Sequence, residues 1–440
     1  MQQKPTLREA LKFWTKLGFI SFGGPAGQVA IMHEFLVEKK KWISESRFMH
    51  ALNYCMLLPG PEAQQLATYT GWLLHGVRGG LAAGILFILP SMFILLGLSA
   101  LYVVFGQIAW VNALFDGLKP AVVAIIAMAL TKIGKKSLLS PFHYVVAAAA
   151  FVAIFFLKIP FPLIILAAIL VGFIAGKWMP HLVKTNSKKE QEQSANEQGY
   201  LINRDTVTVK GKWTPGKVIL LLLLFVAMWF VPYLLLRSGD NGKFWELLIL
   251  FFTKAALVTF GGAYAVLPYV AQVTVQKFNW LTSLQMMDGL ALGETTPGPL
   301  IMVLAFVGFM AAYNQYGASL AMGSLGLVIT VFYTFLPCFL FIFAGAPIIE
   351  RTRDNPAIKK VLNIITAAVV GVVLNLAIFL LMQVVFKGSF SFSQFHLPHF
   401  LWILISFAAL YHYKINMILW LGISAVYGLG YYLLTSQLFA

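Results

Sequence analysis

Two short stretches, MLLPGPEAQQ from Met56 to Gln65 and ETTPGPLIMV from Glu294 to Val303, place the same Pro-Gly-Pro triplet inside apolar surroundings. Proline fixes φ and removes an amide donor, and glycine permits a sharp reversal, so each triplet is predicted to end one helix and start another. A helix that starts inside a membrane presents free N–H groups and the positive end of its dipole, and both attract anions.

The residues around these triplets are those of a polytopic membrane protein. Of the 440 residues, 60% are hydrophobic and 11% are charged, a balance that soluble domains do not show. Runs such as KVILLLLLFVAMWFV and AAVVGVVLNLAIFLLMQVVF are long enough to cross a hydrocarbon core of about 30 Å as helices. Strand-like alternation is missing from these runs, so the predicted fold class is all-α.

The basic residues indicate topology. The net charge is +16, but the basic residues lie between or beside the apolar runs, which argues against a nucleic-acid partner. If the N-terminus is cytoplasmic, most of the basic residues lie on the cytoplasmic side of the membrane. The segment EKKKWISESR, Glu38 to Arg47, also falls inside if the preceding run enters the membrane and returns, with arms of about a dozen residues. We therefore prefer broken, re-entrant hairpins at the Gly-Gly and Pro-Gly-Pro segments over full crossings.

The chain contains an internal repeat. Aligning TKLGFISFGG with TKAALVTFGG shifts the chain by 238 residues and keeps its register without a gap up to the Pro-Gly-Pro triplets. Further along the shift becomes 247 and then 256 residues. The aligned pairs include Thr15 and Thr253, Trp42 and Trp280, Leu89 and Leu336, and Gly172 and Gly428. Chance similarity of apolar sequence does not preserve such a set, so the chain is an internal duplication.

The duplication predicts the domain organisation. We expect an N-terminal repeat at 1–178, a connecting segment at 179–243 and a C-terminal repeat at 244–440. The connecting segment begins with a polar stretch, KTNSKKEQEQSANEQGYLINRDTVTVKGKW, typical of a solvated loop or of disorder. One apolar run at about 216–236 follows it and is predicted to be a linker transmembrane helix. If each repeat crosses the membrane an even number of times, one extra crossing between them gives the second repeat the opposite orientation. Many secondary transporters have such inverted repeats.

The substrate site is predicted where the breaks of the two repeats meet near the middle of the membrane. The candidate backbone positions are Gly23, Gly24, Pro59, Gly60, Pro61, Gly261, Gly262, Pro297, Gly298 and Pro299. Lys16 and Lys254 occupy matching positions before the Gly-Gly pairs and are candidates to neutralise an anion, unless they reach the membrane interface. Ser21 and Thr259, which also match, supply hydroxyl donors, unless each bonds a backbone carbonyl.

Several acidic residues are candidates for coupling transport to protons. Glu62 follows the first triplet and Glu294 precedes the second, so either carboxylate can carry a proton beside the anion, although Glu62 can also simply cap its helix. His50 and Asp288 occupy matching positions as a weaker titratable pair, for which solvation at the membrane interface is the alternative. Asp116 is assigned a structural role.

Patterns for other kinds of chemistry are missing. The eight histidines have no metal-ligand spacing, and no phosphate-binding loop is present. Cys55 and Cys338 have apolar neighbours and are interpreted as packing residues, not as a disulfide or a metal site. The sequence thus predicts a protein that is not an enzyme and that has no cofactor, no metal and no catalytic residue.

Two segments carry a family resemblance. The segments FGGPAGQVAIMHEFLVEKKKW…MLLPGPEAQQLATYTGW, starting at Phe22, and FGGAYAVLPYVAQVTVQKFNW…ETTPGPLIMVLAFVGF, starting at Phe260, resemble the two copies of the chromate ion transporter signature. The resemblance is to the long form of the family, with two fused halves, and covers nearly the whole chain outside the linker. One departure is Leu300, which stands where the first copy has Glu62.

The resemblance implies an inner-membrane carrier that exports chromate and confers chromate tolerance. Its partners would be chromate or a sulfate-like oxyanion and the lipid bilayer. An importer or exchanger of sulfate or another anion is the alternative, and a lipid-modifying membrane enzyme is a more distant one. The sequence does not decide whether the membrane potential, protons or a second anion drives transport. It also leaves the oligomeric state open, a homodimer included.

Overall fold

The computed structural model describes residues 4–22, 24–56, 58–106, 108–178, 199–203, 215–239, 241–260, 262–349, 356–386 and 395–438. The elements in these ranges are helical, as predicted, apart from one isolated bridge between Ile43 and Ile202. The helices are α1 Leu7–Ile20, α2 Gly24–His33 with a π-helical turn Glu34–Lys39, α3 Glu45–Cys55, α4 Glu62–Phe105, α5 Ala109–Ser137, α6 Pro141–Phe155, α7 Phe161–Trp178, α8 Pro215–Arg237, α9 Gly242–Val258, α10 Ala263–Gln272 with a π-helical turn Val273–Lys277, α11 Ser283–Thr295, a 3₁₀ turn Leu300–Met302 leading into α12 Val303–Gln315, α13 Leu320–Ile349, α14 Pro356–Phe386, α15 Leu397–Phe407 with a π-helical turn Ala408–His412, and α16 Met417–Leu438. Seven of the described helices (α4, α5, α7, α8, α13, α14 and α16) are long and apolar enough to cross a membrane.

The first apolar run forms a re-entrant hairpin in which α1 goes in and α2 comes back. Lys40, just after the end of this hairpin, pairs with Glu9 in the first turn of α1 at 3.1 Å. The rings of Phe13 and Trp42 meet edge to face with centroids 5.4 Å apart. Both ends of the hairpin therefore lie together, and the basic segment 38–47 returns to the side on which the chain begins.

The second hairpin consists of α3 and the first part of α4. The backbone of α4 leaves helical geometry at His75 and Gly76, where the φ of Gly76 is +65°. The Nε2 atom of His75 donates a hydrogen bond to the carbonyl of Pro5 at 2.8 Å. This arm therefore also returns to the starting side before the rest of α4 crosses the bundle. We call the end of the bundle that holds Pro5, Lys40 and His75 the N-face, and the opposite end the far face.

The second repeat builds its hairpins from the far face. The indole of Trp245, at the start of α9, donates to the hydroxyl of Tyr316, after the end of α12, at 2.7 Å. The amide of Asn314 donates to the carbonyl of Trp280, after α10, at 2.8 Å. The ends of both hairpins in this repeat therefore lie together. Tyr102, near the end of α4 that lies away from the N-face, donates to Asp288 near the start of α11 at 2.8 Å, so the hairpins of the two repeats enter from opposite faces.

The repeats exchange their last helices. The long helices α5 and α14 pack against each other, α15 and α16 of the second repeat pack on α5, and α6 and α7 of the first pack on α14. Gly117 of α5 and Gly428 of α16 face each other so closely that a Cβ on either would lie 2.6 Å from backbone atoms of the other. Small residues permit such close approach between membrane helices. The two halves therefore interlock and do not stand side by side.

Part of the polar connecting segment is ordered against the first repeat, where a solvated or disordered loop was predicted. The amide of Ile202 donates to the carbonyl of Trp42 at 3.1 Å, and the amide of Ser44 donates to the carbonyl of Ile202 at 2.8 Å. The side chain of Ile202 is 5% exposed. Residues 199–203 therefore form a loop that is held by backbone hydrogen bonds, which composition alone does not show. Residues 179–198 and 204–214 lie outside the described ranges.

Candidate functional site

The helix breaks at the Gly-Gly and Pro-Gly-Pro segments of the two repeats meet at the centre of the bundle. We call this meeting point the crossing. The amide of Gly60, in the first Pro-Gly-Pro triplet, donates to the carbonyl of Thr259, in the second Gly-Gly break, at 2.7 Å. The amide of Gly298, in the second triplet, donates to the carbonyl of Ser21, in the first break, at 2.8 Å. These residues are the aligned pairs of the internal repeat, so the contact is reciprocal. The last carbonyl groups of a helix have no partner within that helix. Each triplet donates a hydrogen bond to one such carbonyl in the other repeat.

Glycine is required at the crossing for two reasons. The φ values of Gly60 and Gly298 are +121° and +95°, a region that side chains disfavour. A Cβ on Gly60 would lie 2.6 Å from the Sγ atom of Cys338, and one on Gly298 would lie 2.9 Å from the Cβ of Ser91. Cys338 and Ser91 are themselves matching residues on α13 and α4. The break of each repeat therefore packs against the long helix of the other.

Four helices begin at the crossing. Two follow the Pro-Gly-Pro triplets, at Glu62 for α4 and at Leu300 for the 3₁₀ turn before α12, as predicted. Two more follow the Gly-Gly breaks, at Gly24 for α2 and at Ala263 for α10, and our sequence reasoning did not count them as helix starts. Since the first amides of a helix have no intrahelical partner, all four ends offer N–H donors and positive partial charge.

A small polar cavity lies beside the second triplet. Its volume is about 10 Å³, room for about one water molecule. It is lined by Ser21, Gly24, Gln28, Gly293, Glu294, Thr296, Gly298 and Leu300. The amide group of Gln28 donates to the carbonyl of Gly298 across the cavity. A tetrahedral oxyanion is larger than water, so the hairpins must separate to admit one.

Two carboxylates flank the crossing. Glu294 is 4% exposed and accepts a hydrogen bond from the hydroxyl of Tyr264 at 2.9 Å, while its Oε2 atom has no partner among the described residues. Glu62 lies beside Gly262, with its Oε1 atom 3.7 Å from the position of a Cβ there. The helix dipole favours a negative charge at Glu62, which begins α4, and opposes one at Glu294, near the end of α11. The charge of Glu294 is therefore the less stabilised of the two.

Comparison with known proteins assigns a family to this arrangement. The profile of the chromate transporter family matches residues 8–173 and 245–429, which include both breaks of each repeat. The chain belongs to the chromate transporter family. The two matched regions agree with two fused halves, as the resemblance implied.

Individual relatives agree with this assignment. The chain is 29% identical to a chromate transport protein of Cupriavidus metallidurans, over 85% of this chain and 82% of that protein. It is 30% identical to a chromate transport protein of Pseudomonas aeruginosa, over 81% and 77% of the two chains. An uncharacterised transporter of Methanocaldococcus jannaschii is 27% identical over 98% of this chain and 96% of its own. No solved structure matches the chain.

The hydroxyl groups predicted at the site of this member of the chromate transporter family differ in role. The Oγ1 atom of Thr259 donates to the carbonyl of Ala255 at 2.6 Å, as membrane Ser and Thr residues commonly do. The Oγ atom of Ser21 is fully buried and has no partner among the described residues. Of the two matching hydroxyls, only Ser21 is therefore available to a ligand. Gly23 and Gly261 lie outside the described residues.

The structure does not bring Lys16 and Lys254 to the cavity. Both side chains are exposed, and the Nζ atom of Lys16 lies 5.4 Å from the ring centroid of Phe35. Lys254, a candidate to neutralise an anion, lies on the outer side of α9. Apolar neighbours in sequence do not distinguish a helix face that points to lipid from one that points to the protein interior.

We expect the double replacement Lys16→Ala/Lys254→Ala to leave chromate transport within about twofold of wild type, since exposed substitutions away from packed sites have small effects. The measurement is chromate accumulation in cells that express equal amounts of each protein. A tenfold loss of transport would show that these lysines contribute to binding or passage of the anion.

A different lysine lies near the first triplet. Lys136, in the last turn of α5, has an exposed side chain whose Nζ atom is 3.9 Å from the Sδ atom of Met56. Its charge acts on Glu62. Lys136 therefore places an exposed positive charge beside the end of α3. The sequence did not single out this residue for the site, because nothing in the spacing links the end of α5 to residue 56.

The matching pair His50 and Asp288 is also placed differently from the prediction. Asp288 is 4% exposed, whereas interfacial solvation was the expected alternative. Its carboxylate accepts a hydrogen bond from the hydroxyl of Tyr102 at 2.8 Å, and Lys119 lies 3.6 Å from its other oxygen. His50 is half-buried. Asp288 therefore belongs to the interior of the bundle.

Proposed function

We propose that this chain exports chromate, or a related tetrahedral oxyanion, from the cytoplasm across the inner membrane, and that the crossing of the four breaks holds the anion. The observation that carries the proposal is the reciprocal pair of hydrogen bonds between Gly60 and Thr259 and between Gly298 and Ser21. This contact gathers helix starts from both repeats at one place. The similarity to chromate transport proteins of two bacteria supports chromate as the substrate.

The hydrogen-bond donors at the crossing suit an anion. Each helix start is equivalent to about +0.5 of an elementary charge, but the ends of α1, α3, α9 and α11 beside them carry the opposite partial charge, so the starts attract an anion only at the short range where their amides face it. The buried hydroxyl of Ser21 and the amide hydrogens of the helix starts are donors that an oxyanion can use. Buried donors without partners are costly, so an anion that accepts their hydrogen bonds would be stabilised there.

Exchange of the anion with the two faces is proposed to occur by movement of the hairpins. Each triplet is held to the opposite repeat by one backbone hydrogen bond and by packing against Ser91 or Cys338. Separation of the first-repeat hairpins would open the site to the N-face, and separation of the second-repeat hairpins would open it to the far face. The two faces are thus served by equivalent elements, as in other inverted-repeat carriers.

Glu294 is proposed to exchange a proton when the anion binds. Its carboxylate lines the same cavity, so its negative charge repels a dianion there and its protonated form does not. Glu62 is proposed as a second coupling residue on the side of the first triplet. The proton would thus make the affinity for the anion depend on pH.

The membrane potential favours export. A dianion that leaves a negative-inside cell gains roughly 4–5 kcal/mol per 100 mV. With a cytoplasmic N-terminus the N-face is the loading side, and the exposed Lys136 lies on the entry route to the first triplet.

Export is tested by chromate accumulation in cells with and without the protein, together with flux into proteoliposomes. We expect cells that express the protein to hold less chromate, and chromate flux in proteoliposomes to be competed by sulfate. Equal chromate contents would contradict export. Sulfate uptake against its gradient with no effect of chromate would instead support the importer.

A further inference from the structure

A second group of charged side chains is buried on the far-face side of the crossing. The ammonium of Lys119 on α5 lies 2.5 Å from the carboxylate of Asp116 on the same helix and 3.6 Å from that of Asp288 on α11. Lys119 is 6% exposed and Asp288 is 4% exposed, whereas the side chain of Asp116 is 50% exposed. The hydroxyl of Tyr102 on α4 donates to the second oxygen of Asp288 at 2.8 Å.

The charges of this group do not balance. Two carboxylates surround one ammonium, so the group carries one excess negative charge, shared between the buried Asp288 and the half-exposed Asp116. An uncompensated charge inside a membrane protein is costly and marks ion and proton pathways. The Oδ1 atom of Asp288 has no hydrogen-bond partner among the described residues, because Lys119 stays at 3.6 Å. A proton bound there would neutralise the group.

The position of the group connects it with the anion site. Asp288 and Glu294 are both on α11, six residues apart, or roughly 9 Å along the helix axis. Asp116, on the side of the group away from Glu294, is half exposed at the surface of the protein. The carboxylates of Asp116, Asp288 and Glu294 thus form a series from the exposed surface toward the crossing.

The symmetry-related position on the side of the N-face has no equivalent group. The residues that match Asp288, Lys119 and Asp116 are His50, Thr366 and Asn363. The two faces of the carrier therefore differ in chemistry although their hairpins are equivalent.

We propose that Asp288, with Lys119 and Asp116, forms a proton-binding site, distinct from the anion site, that exchanges protons between the far face and Glu294. In the described part of the chain the charged and titratable groups that act on Asp288 are Lys119, Asp116 and Tyr102. His399 on α15 lies near enough for the charges of Asp116 and Lys119 to act on it. This inference rests on the proposed function, because the proton serves anion transport.

The test uses the full chain in proteoliposomes, with chromate flux and the accompanying change in internal pH recorded together. We expect wild type to move protons with chromate, and Asp288→Asn to reduce proton movement at least tenfold while chromate flux stays within threefold. Glu246→Gln is the matched control, since Glu246 pairs with Arg237 outside this group. It should behave like wild type.

The outcomes separate the two proposals. Chromate flux without proton movement in wild type, or unchanged proton movement in Asp288→Asn, overturns the proton site and leaves chromate transport standing. No chromate flux in wild type overturns both.

A second variant and a direct readout remain informative if Asp288→Asn does not fold. Lys119→Met/Asp288→Asn removes both buried charges, a change that folded proteins commonly tolerate, and should also lose proton movement. In detergent, acidification of wild type should produce the infrared carbonyl band of a protonated carboxylic acid, and part of this band should be missing in the double variant. An identical band in both proteins overturns the proposal.

Discussion

Gly60→Ala and Gly298→Ala are each expected to reduce chromate transport by at least tenfold and to lower the amount of folded protein in the membrane. A side chain at these positive φ values costs about 1–3 kcal/mol, and forcing an extra methyl group into a packed site costs about 1–3 kcal/mol more. On Gly60 the methyl would meet the sulfur of Cys338, and on Gly298 it would meet Ser91. The measurements are chromate accumulation in cells and the thermal unfolding of purified protein.

Gly97→Ala is the matched control for these replacements. Gly97 lies on the exposed side of α4, and a Cβ there would have no atom within 4 Å. Alanine favours a helix over glycine by about 0.8–1 kcal/mol, so this variant should be at least as stable as wild type. Adding Cys338→Ala to Gly60→Ala should recover only part of the loss, because the backbone strain stays. Wild-type transport by either triplet variant would show that the crossing is not packed as described.

Glu294→Gln is expected to raise the affinity for chromate at neutral pH at least tenfold and to reduce its dependence on pH, with Glu62 accounting for the remainder. A charged carboxylate a few ångströms from a dianion repels it by several kcal/mol at an effective dielectric constant of about 20. Wild type should therefore bind chromate more tightly as the pH falls and Glu294 takes up a proton. The neutral amide can still accept the hydrogen bond of Tyr264, so packing is kept. Chromate binding to purified protein at several pH values is the measurement.

Glu34→Gln is a suitable control for this change. Glu34 is exposed and pairs with Lys39 at the N-face, away from the crossing. It should reproduce the affinity and the pH dependence of wild type. If Glu294→Gln did the same, Glu294 would have no part in anion binding.

The main features of the fold were readable from the sequence because they depend on residues with few alternatives. Pro-Gly-Pro cannot continue a helix, and its recurrence in register with Gly-Gly and tryptophan showed the duplication. The basic segment at 38–47 required a hairpin that returns, and the pairing of Lys40 with Glu9 agrees with it. The reciprocal hydrogen bonds at Gly60 and Gly298 could not be predicted, because they join residues of different repeats.

The charged residues of the site were harder to predict. The position of a lysine along an apolar helix does not give the direction of its side chain, so Lys254 was misplaced and Lys119 was overlooked. Lys119 is buried because Asp116 lies one turn earlier and Asp288 approaches from another repeat. The pair of Lys119 with Asp116 could have been suggested by their spacing of three residues in the sequence. The second depends on how α5 and α11 pack.

A structure of the protein with bound chromate, in which the anomalous scattering of chromium locates the anion, tests the central claim most directly. The account predicts one chromium peak at the crossing, within hydrogen-bonding distance of Ser21 and of the amides that follow the Gly-Gly and Pro-Gly-Pro breaks. A peak elsewhere, such as beside the exposed Lys16 or Lys254, with nothing bound at the crossing, would contradict it.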